Sequence, residues 1–219
     1  MKTGLTECIF VIDRSASMSG LESDTIGGFN ALLAKQQSEP GECRITTVLF
    51  DHNYEVLHDR IDLKAVSPLT EKEYFVRGNT ALLDAIGRTI NKIGGVQKHT
   101  APAYRAEKVL FVITTDGMEN ASREFSYRKI KALIERQKNK YGWEFLFLGA
   151  DIDAVDVADS IGIGRNRAQN YHKDCDGIKL NYLVLCNAVS SFREAPREAK
   201  ISDDWSAKIE ADYKLRGTR

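Results

Sequence analysis

The stretch "ECIFVIDRSASMSG", residues 7 to 20, joins an apolar run to a cluster of oxygen-bearing side chains. Its first half is short, continuous and rich in β-branched and aromatic residues, which is typical of a strand buried on both faces. Its second half places Asp13, Ser15 and Ser17 at alternate positions, where none of them continues a hydrophobic core. The stretch therefore predicts a central strand that ends in a polar loop.

Three further runs share the character of the first, and helical patterns separate them. The runs occupy residues 43–50, 108–116 and 143–150, and each is short, apolar and rich in β-branched or aromatic side chains. Strands of this kind that alternate with helices form mostly parallel sheets with helices packed on both faces. The pattern therefore predicts an α/β fold with a doubly wound sheet.

One pair of strands breaks this alternation. The segments "CRITTVLF" (43–50) and "YEVLHDRI" (54–61) are separated only by "DHN", which is too short for a helix and is typical of a hairpin. The sheet should therefore carry one antiparallel strand, and we expect that strand at its edge.

Five helices are predicted from apolar side chains at helical spacing. The pair Gly94-Gly95 is expected to stop the second helix. Ser126 and Asp151 are the expected N-caps of the third and the fourth. The apolar positions are Ile26, Phe29 and Leu33; Leu82, Leu83, Ile86, Ile90 and Ile93; Ile130, Leu133 and Ile134; Val155, Val157 and Ile161; and Ile178, Tyr182, Leu185, Cys186, Val189 and Phe192.

Charge and cysteine content narrow the classes of function. The 31 acidic and 31 basic side chains balance, which argues against nucleic-acid binding through a bulk basic field. No apolar run is long enough for a membrane span, and Glu7 interrupts the first one too early for a signal peptide. The four cysteines lack CxxC spacing, so we expect free thiols and no zinc site. We therefore expect a cytoplasmic monomer that binds neither nucleic acid nor membrane.

Oxygen-bearing side chains gather where the predicted strands end. Asp116 ends the third run within "TTDG", and Thr80 lies before a helix within "GNTALLDA". The carboxyl ends of parallel strands meet at one edge of a sheet, so both side chains should approach Asp13, Ser15 and Ser17. Two carboxylates and three hydroxyls, with no histidine or cysteine, are ligands that suit Mg²⁺. The sequence therefore predicts one Mg²⁺ site, with Mn²⁺ as a substitute.

The segments "DRSASMSG", "GNTALLDA" and "TTDG", in that order and on those elements, resemble the metal-ion-dependent adhesion site (MIDAS) of the von Willebrand factor type A (VWA) domain. The likeness covers about residues 5–195, and within the family the chain most resembles small stand-alone intracellular members of bacteria and phages. It implies a Rossmann-like VWA fold and a binding module rather than an enzyme. The bound metal would bridge to an Asp or Glu carboxylate of a protein partner. The implied metal ligands are Asp13, Ser15, Ser17, Thr80 and Asp116.

The chain departs from the family at Ala16, where the bacterial members commonly have glycine. This position is not a ligand, so we expect a stiffer loop and an intact site. The flanks of two ligand loops form the expected rim for the partner. The rim residues are Arg77, Asn79, Glu119 and Asn120.

The last part of the chain, 196–219, is predicted to be a polar extension of a VWA domain at 1–195. A stripe from Trp205 to Tyr213 at i+4 spacing predicts a short helix with Ser202 as its cap. We expect Trp205 to pack this helix on the domain, away from the metal edge. The chain is expected to be disordered from Gly217 onward.

Two other interpretations of Asp13 remain open. An aspartate followed by hydroxyls is also common in turns and helix caps, which need no metal. Phosphohydrolases with an aspartyl nucleophile also place an aspartate after a strand, but they need a second acid two residues later, where this chain has Ser15. Asp84, one turn beyond Thr80, is interpreted as a first-turn helix acid rather than a ligand.

Overall fold

The computed structural model describes residues 1–217 and contains one sheet. Its strands are β1 (Lys2–Asp13), β2 (Glu42–Phe50), β3 (Tyr54–Asp62), β4 (Ala106–Thr115), β5 (Glu144–Gly149) and β6 (Ala168–Asn170). Their order across the sheet is β3-β2-β1-β4-β5-β6. Strand β3 is antiparallel to β2 at one edge, and the other described pairs are parallel. This confirms the predicted fold class and the hairpin. Strand β6 was not predicted, since three residues are too few to show a pattern.

Helices cover both faces of the sheet. They are α1 (Glu22–Ser38), α2 (Leu82–His99), α3 (Tyr127–Tyr141), α4 (Ala154–Ser160), α5 (Cys175–Glu194) and α6 (Ala207–Arg216). Helices α1, α5 and α6 contribute to the core on one face, and α2, α3 and α4 to the core on the other. Within residues 1–217, no helix combines the length and the hydropathy needed to cross a bilayer.

Strand β1 lies at the centre of the sheet and connects the two cores. Phe10 and Ile12 face one core while Ile9 and Val11 face the other, and each is at most 2% exposed. This is the alternation that a fully buried strand requires. Parallel pairing of β1 with both β2 and β4 brings the ends of these strands to the same edge, which carries the loop that begins at Asp13.

Helix α2 was predicted to stop at Gly94-Gly95, but it continues to His99. Two glycines cost a helix only about 1 kcal/mol each, which packing can offset. A Cβ on Gly94 would lie 3.4 Å from Nε2 of Gln137 and 3.9 Å from the ring of Trp143. These are ordinary van der Waals distances, and a Cβ on Gly95 would meet nothing within 4 Å, so neither glycine is required by a close neighbour and neither ends the helix.

The cap of the fourth helix was also predicted wrongly. Asp153, not Asp151, is the N-cap of α4, and its carboxylate accepts a hydrogen bond from the N–H of Asp156 at 3.0 Å. Asp151 instead has a φ of 52°, an uncommon conformation for a non-glycine residue. By contrast, Ser126 is the N-cap of α3, as predicted.

The C-terminal helix α6 begins at Ala207, so Ser202 is not its cap. Ile209 is buried against the α1–α5 side of the core, and the indole Nε1 of Trp205 donates to the carbonyl of Asn166 at 3.0 Å. The helix is not remote from the predicted metal edge, because the Tyr213 ring stacks on His172 in the loop before α5. The predicted disorder begins at Gly217, which the structure describes with a φ of 71°, and its remaining residues, 218–219, lie outside the described residues.

Candidate metal site at the carboxyl edge of the sheet

Asp13, the last residue of β1, is held in place on both of its carboxylate oxygens. Its Oδ1 accepts a hydrogen bond from the N–H of Ser15 at 2.7 Å, and its Oδ2 accepts one from the Thr115 hydroxyl at 2.6 Å. Burial, with a smaller contribution from the nearby charge of Asp116, raises the pKa of this carboxyl to about 6 although these hydrogen bonds oppose the rise. Asp13 is therefore an acid that a nearby cation would stabilise.

Ser15, Ser17 and Asp116 form a chain of short oxygen–oxygen contacts. The Ser15 and Ser17 hydroxyls are 3.0 Å apart, and the Ser17 hydroxyl donates to Asp116 Oδ1 at 2.6 Å. Asp116 directly follows β4 and is 2% exposed. Its other oxygen, Oδ2, is buried and receives no hydrogen bond. A buried carboxylate oxygen without a hydrogen bond is uncommon, and this one faces a cation, the ammonium of Lys173 at 3.0 Å, so the position favours positive charge.

Thr80 completes the cluster from the loop that precedes α2. A Cβ atom built on Gly117 would lie 2.9 Å from the Thr80 hydroxyl, 3.0 Å from that of Ser17 and 3.8 Å from that of Ser15. The three hydroxyls thus surround one small space, which only glycine at position 117 keeps open. The Thr80 backbone is fixed because its N–H donates to the side-chain carbonyl of Asn120 at 2.9 Å.

The structure therefore brings together all five predicted ligands, Asp13, Ser15, Ser17, Thr80 and Asp116. Carboxylate and hydroxyl oxygens gathered beside Gly117 fit a hard divalent ion such as Mg²⁺, which takes oxygen ligands and retains several waters. Within residues 1–217 there is no group of three or more His, Cys, Asp or Glu side chains arranged to hold a metal.

The loop residues between the ligands support the site from outside. Arg14 is completely buried and points away from the cluster, where its Nε donates to Asp51 at 3.1 Å and its Nη2 to Glu55 at 2.6 Å. These bonds tie the ligand loop to the β2–β3 hairpin. Ala16, the departure from the family pattern, is exposed, and its N–H donates to the carbonyl of Gly78 at 3.1 Å.

The four predicted rim residues differ in their exposure and in the hydrogen bonds that their side chains already make. Asn79 and Asn120 are exposed, and Arg77 is bound through its Nε to Asp51 at 2.9 Å with its side chain 41% exposed. Glu119 is half-buried, and its carboxylate accepts hydrogen bonds from the N–H groups of Leu83, Ala121 and Ser122 and from the Ser122 hydroxyl. Its carboxylate is thus committed to its own loop.

Sequence reasoning did not assign three further residues of this edge. Thr115 holds Asp13, and the Tyr74 hydroxyl donates to the Asp13 carbonyl at 2.7 Å. The ammonium of Lys173 lies 3.0 Å from Asp116 Oδ2. Thr115 could have been found, because it directly precedes Asp116 in "TTDG". Tyr74 and Lys173 lie in irregular segments far away in sequence, and no local pattern marks them.

The fold of this chain is that of VWA domains, as its structural neighbours show. A von Willebrand factor type A protein from Catenulispora acidiphila aligns with a TM-score of 0.57 at 9% identity over 85% of this chain and 43% of its own. Manganese-loaded TRAP from Plasmodium vivax aligns with a TM-score of 0.61 at 17% identity, over 87% of this chain and 74% of its own. Proximal thread matrix protein 1 from the mussel byssus, with a zinc-occupied MIDAS motif, aligns with a TM-score of 0.56 at 13% identity, over 84% of this chain and 46% of its own.

The likeness is one of fold. The chain spans less than half of the length of two of these neighbours. No protein-family model matches the sequence, and no curated protein matches it either. Two of the three neighbours carry a divalent metal, zinc or manganese.

Proposed function

We propose that this chain is a divalent-metal-dependent protein-binding module. Asp13, Ser15, Ser17, Thr80 and Asp116 would hold one Mg²⁺, or Mn²⁺ in its place, some of them through water. The ion would supply a Lewis-acidic position that a carboxylate from another protein can fill. The observation that carries this proposal is the convergence of the Ser15, Ser17 and Thr80 hydroxyls beside Asp116, whose Oδ2 receives no hydrogen bond.

The chemistry of the cluster favours an acidic partner. Two carboxylates balance the charge of a divalent ion but leave it short of strong ligands, because hydroxyls and water are neutral. A carboxylate from an Asp or Glu side chain of a partner protein is then the best remaining ligand. Exposed Asn79 and Asn120, together with the half-exposed Arg77, flank the cluster and would contribute to the choice of partner.

The remaining parts of this proposal concern the setting of the module. We propose a monomer in a reducing cytoplasm, with a protein as its partner and with neither nucleic acid nor membrane as a target. The four cysteines, which the structure describes as free thiols, support the reducing compartment. The equal number of acidic and basic side chains supports the exclusion of nucleic acid.

We propose that the chain is not an enzyme. An aspartyl-nucleophile phosphohydrolase would need a second acid near Asp13, but Ser15 occupies that position and its hydroxyl contacts Ser17. Hydrolysis of p-nitrophenyl phosphate tests this alternative. Turnover that is present in the wild type and lost in Asp13→Asn would contradict the binding-module proposal and favour the phosphohydrolase.

Calorimetric titration of chelator-stripped protein with Mg²⁺ and Mn²⁺ tests the metal site. The wild type should bind one ion, Asp13→Ala should not, and the control Asp159→Ala, at an exposed acid of α4, should bind as the wild type does. Equal binding by wild type and Asp13→Ala would contradict the site.

Affinity capture from a cell extract, with and without EDTA, tests whether the metal bridges to a partner protein. Partners that are retained undiminished in chelator would not be held through a metal.

A further inference from the structure

Lys173 joins the candidate metal site to an acid outside it. The residue lies in the loop between β6 and α5, and its ammonium is 3.0 Å from Asp116 Oδ2 and 3.3 Å from Asp151 Oδ2. The side chain of Asp116 is completely buried, whereas that of Asp151 is 64% exposed and that of Lys173 is 23% exposed. One ammonium thus lies between a ligand of the site and an acid at its rim.

The contact with Asp116 is ionic rather than a directed hydrogen bond. Although the distance of 3.0 Å is short, Asp116 Oδ2 receives no hydrogen bond, so the approach of the ammonium is poorly aligned. A lysine ammonium is a point charge on a flexible four-carbon stem, which can move between two carboxylates without any change of backbone. Asp151 is a second carboxylate within its reach.

The backbone around Lys173 is fixed on both sides. Asp174 caps α5 by accepting the N–H of Gly177 at 2.9 Å, and it also pairs with Arg216 of α6. The ring of His172 stacks on Tyr213 of α6, with 4.8 Å between the ring centroids. The loop therefore presents the lysine stem at a fixed point, from which its ammonium reaches both Asp116 and Asp151.

A divalent ion and the ammonium would both be drawn to Asp116. Like charges a few ångströms apart repel strongly where water is partly excluded, so the two cations cannot share the buried oxygen at low cost. We propose that Lys173 competes with the divalent ion for Asp116, and that Asp151 receives its ammonium when the ion binds. This inference rests on the proposed metal site and assigns that site an internal control of its metal affinity.

Two variants at position 173 test the competition directly. In calorimetric titration with Mg²⁺, chelator-stripped Lys173→Met should bind about tenfold more tightly than wild type, because the competing charge is gone. Lys173→Gln, which keeps a polar end, should also bind more tightly. Lys179→Met is the matched control on the next helix, where the lysine is 64% exposed, and it should stay within about twofold of wild type. Equal or weaker binding by both position-173 variants would overturn the proposal.

Substitution of Asp151 should change the Mg²⁺ affinity in the opposite direction. Asp151→Asn should weaken Mg²⁺ binding about threefold in the wild-type background, because the displaced ammonium loses its second carboxylate. In the Lys173→Met background the same substitution should have no effect, so the two changes should be non-additive. An equal loss in both backgrounds would mean that Asp151 attracts the ion directly, and it would overturn the transfer of the ammonium.

A spectroscopic readout separates this inference from the proposed function. In protein with ¹³C-labelled lysine, the Lys173 ε-carbon signal, identified by its absence in Lys173→Met, should shift when Mg²⁺ is added. If neither wild type nor Lys173→Met binds Mg²⁺, the proposed function fails. If both bind with equal affinity and the Lys173 signal does not move, only the competition fails.

Discussion

Two pairs of buried aspartates lie near the same edge of the sheet and have opposite kinds of partner. Asp51 and Asp84 are bound by arginines or by backbone N–H groups. Asp13 accepts hydrogen bonds from the Ser15 N–H and the Thr115 hydroxyl. Asp116 accepts one from the Ser17 hydroxyl on Oδ1, and its Oδ2 faces the Lys173 ammonium at 3.0 Å without a hydrogen bond. The first pair has its charge neutralised or solvated by arginines and backbone N–H groups, while in the second pair Asp116 has only the ionic contact with Lys173 and Asp13 forms no ion pair with any of the described residues. Residue type and burial are the same, so the partners decide which acid stabilises the fold and which can bind.

Asp51 and Asp13 show this difference in their pKa values. Burial by itself would raise the pKa of both carboxyls. For Asp51, hydrogen bonds from Arg77, the N–H of Asn53 and Arg14 outweigh burial and hold the pKa below its ordinary value of 3.8. For Asp13, the hydrogen bonds do not outweigh burial, and the pKa is raised to about 6. Between these two acids, the neighbouring arginines of Asp51 make the difference.

The largest expected effect on stability comes from Asp84→Ala. Asp84 accepts the N–H groups of Arg123, Glu124 and Phe125 at 2.8–2.9 Å, and it fixes the loop before α3. Removal of these acceptors should lower the free energy of unfolding by about 4 kcal/mol, measured by urea and thermal denaturation. Asp84→Asn keeps one acceptor oxygen and should lose about half as much. If Asp84→Ala were as stable as the wild type, Asp84 would not be a structural acid.

Asp51→Asn is expected to cost about 3 kcal/mol at pH 7, because it leaves the completely buried Arg14 with a weaker partner. The folded-state pKa of Asp51 lies below the unfolded value, so its contribution is present above about pH 4 and is lost as the pH falls through the folded pKa. The difference between wild type and variant should therefore shrink below about pH 4 in a series of denaturation curves. A difference that stays constant with pH would show that the charge of Asp51 is not what matters.

Asp116→Ala should have the reverse effect, a large loss of Mg²⁺ affinity with little loss of stability. Mg²⁺ binding should weaken by about 100-fold or more, since a carboxylate ligand is lost, while stability in EDTA should change by less than about 1 kcal/mol. The small stability effect is expected because the variant also removes a negative charge next to Asp13. Asp84→Asn is the control and should keep its Mg²⁺ affinity. If Asp84→Asn also lost the metal, the division into structural and binding acids would fail.

The smallest effect is expected from Thr115→Val, which removes the hydroxyl that donates to Asp13 Oδ2 at 2.6 Å. The shape of the side chain is kept, so we expect a loss of about 1 kcal/mol, or about fivefold in Mg²⁺ affinity. Calorimetric titration at one fixed pH is the measurement. Thr114→Val, one residue earlier in β4, is the matched control and should stay within about twofold.

The sequence alone predicted the sheet apart from β6, the hairpin, and the five oxygen-bearing side chains that lie together at the edge of the sheet. Each of these depends on local patterns: β-branched runs for β1, β2 and β4, a three-residue connection for the hairpin, and alternate polar residues directly after a strand. Once the strands are known to be parallel, their ends meet at one edge, and the loops that follow them come together without further information.

Only the tertiary structure decided which contacts those residues make. Helix α2 continues through Gly94-Gly95 to His99, and Glu119 is engaged in its own loop rather than free at the rim. Lys173 is 57 residues beyond Asp116 in the chain, and docking of the loop before α5 brings their side chains together. Contacts of this kind come from packing between distant segments, which no local pattern encodes. The sequence therefore determined where the site is, and the tertiary structure decided which charges act on it.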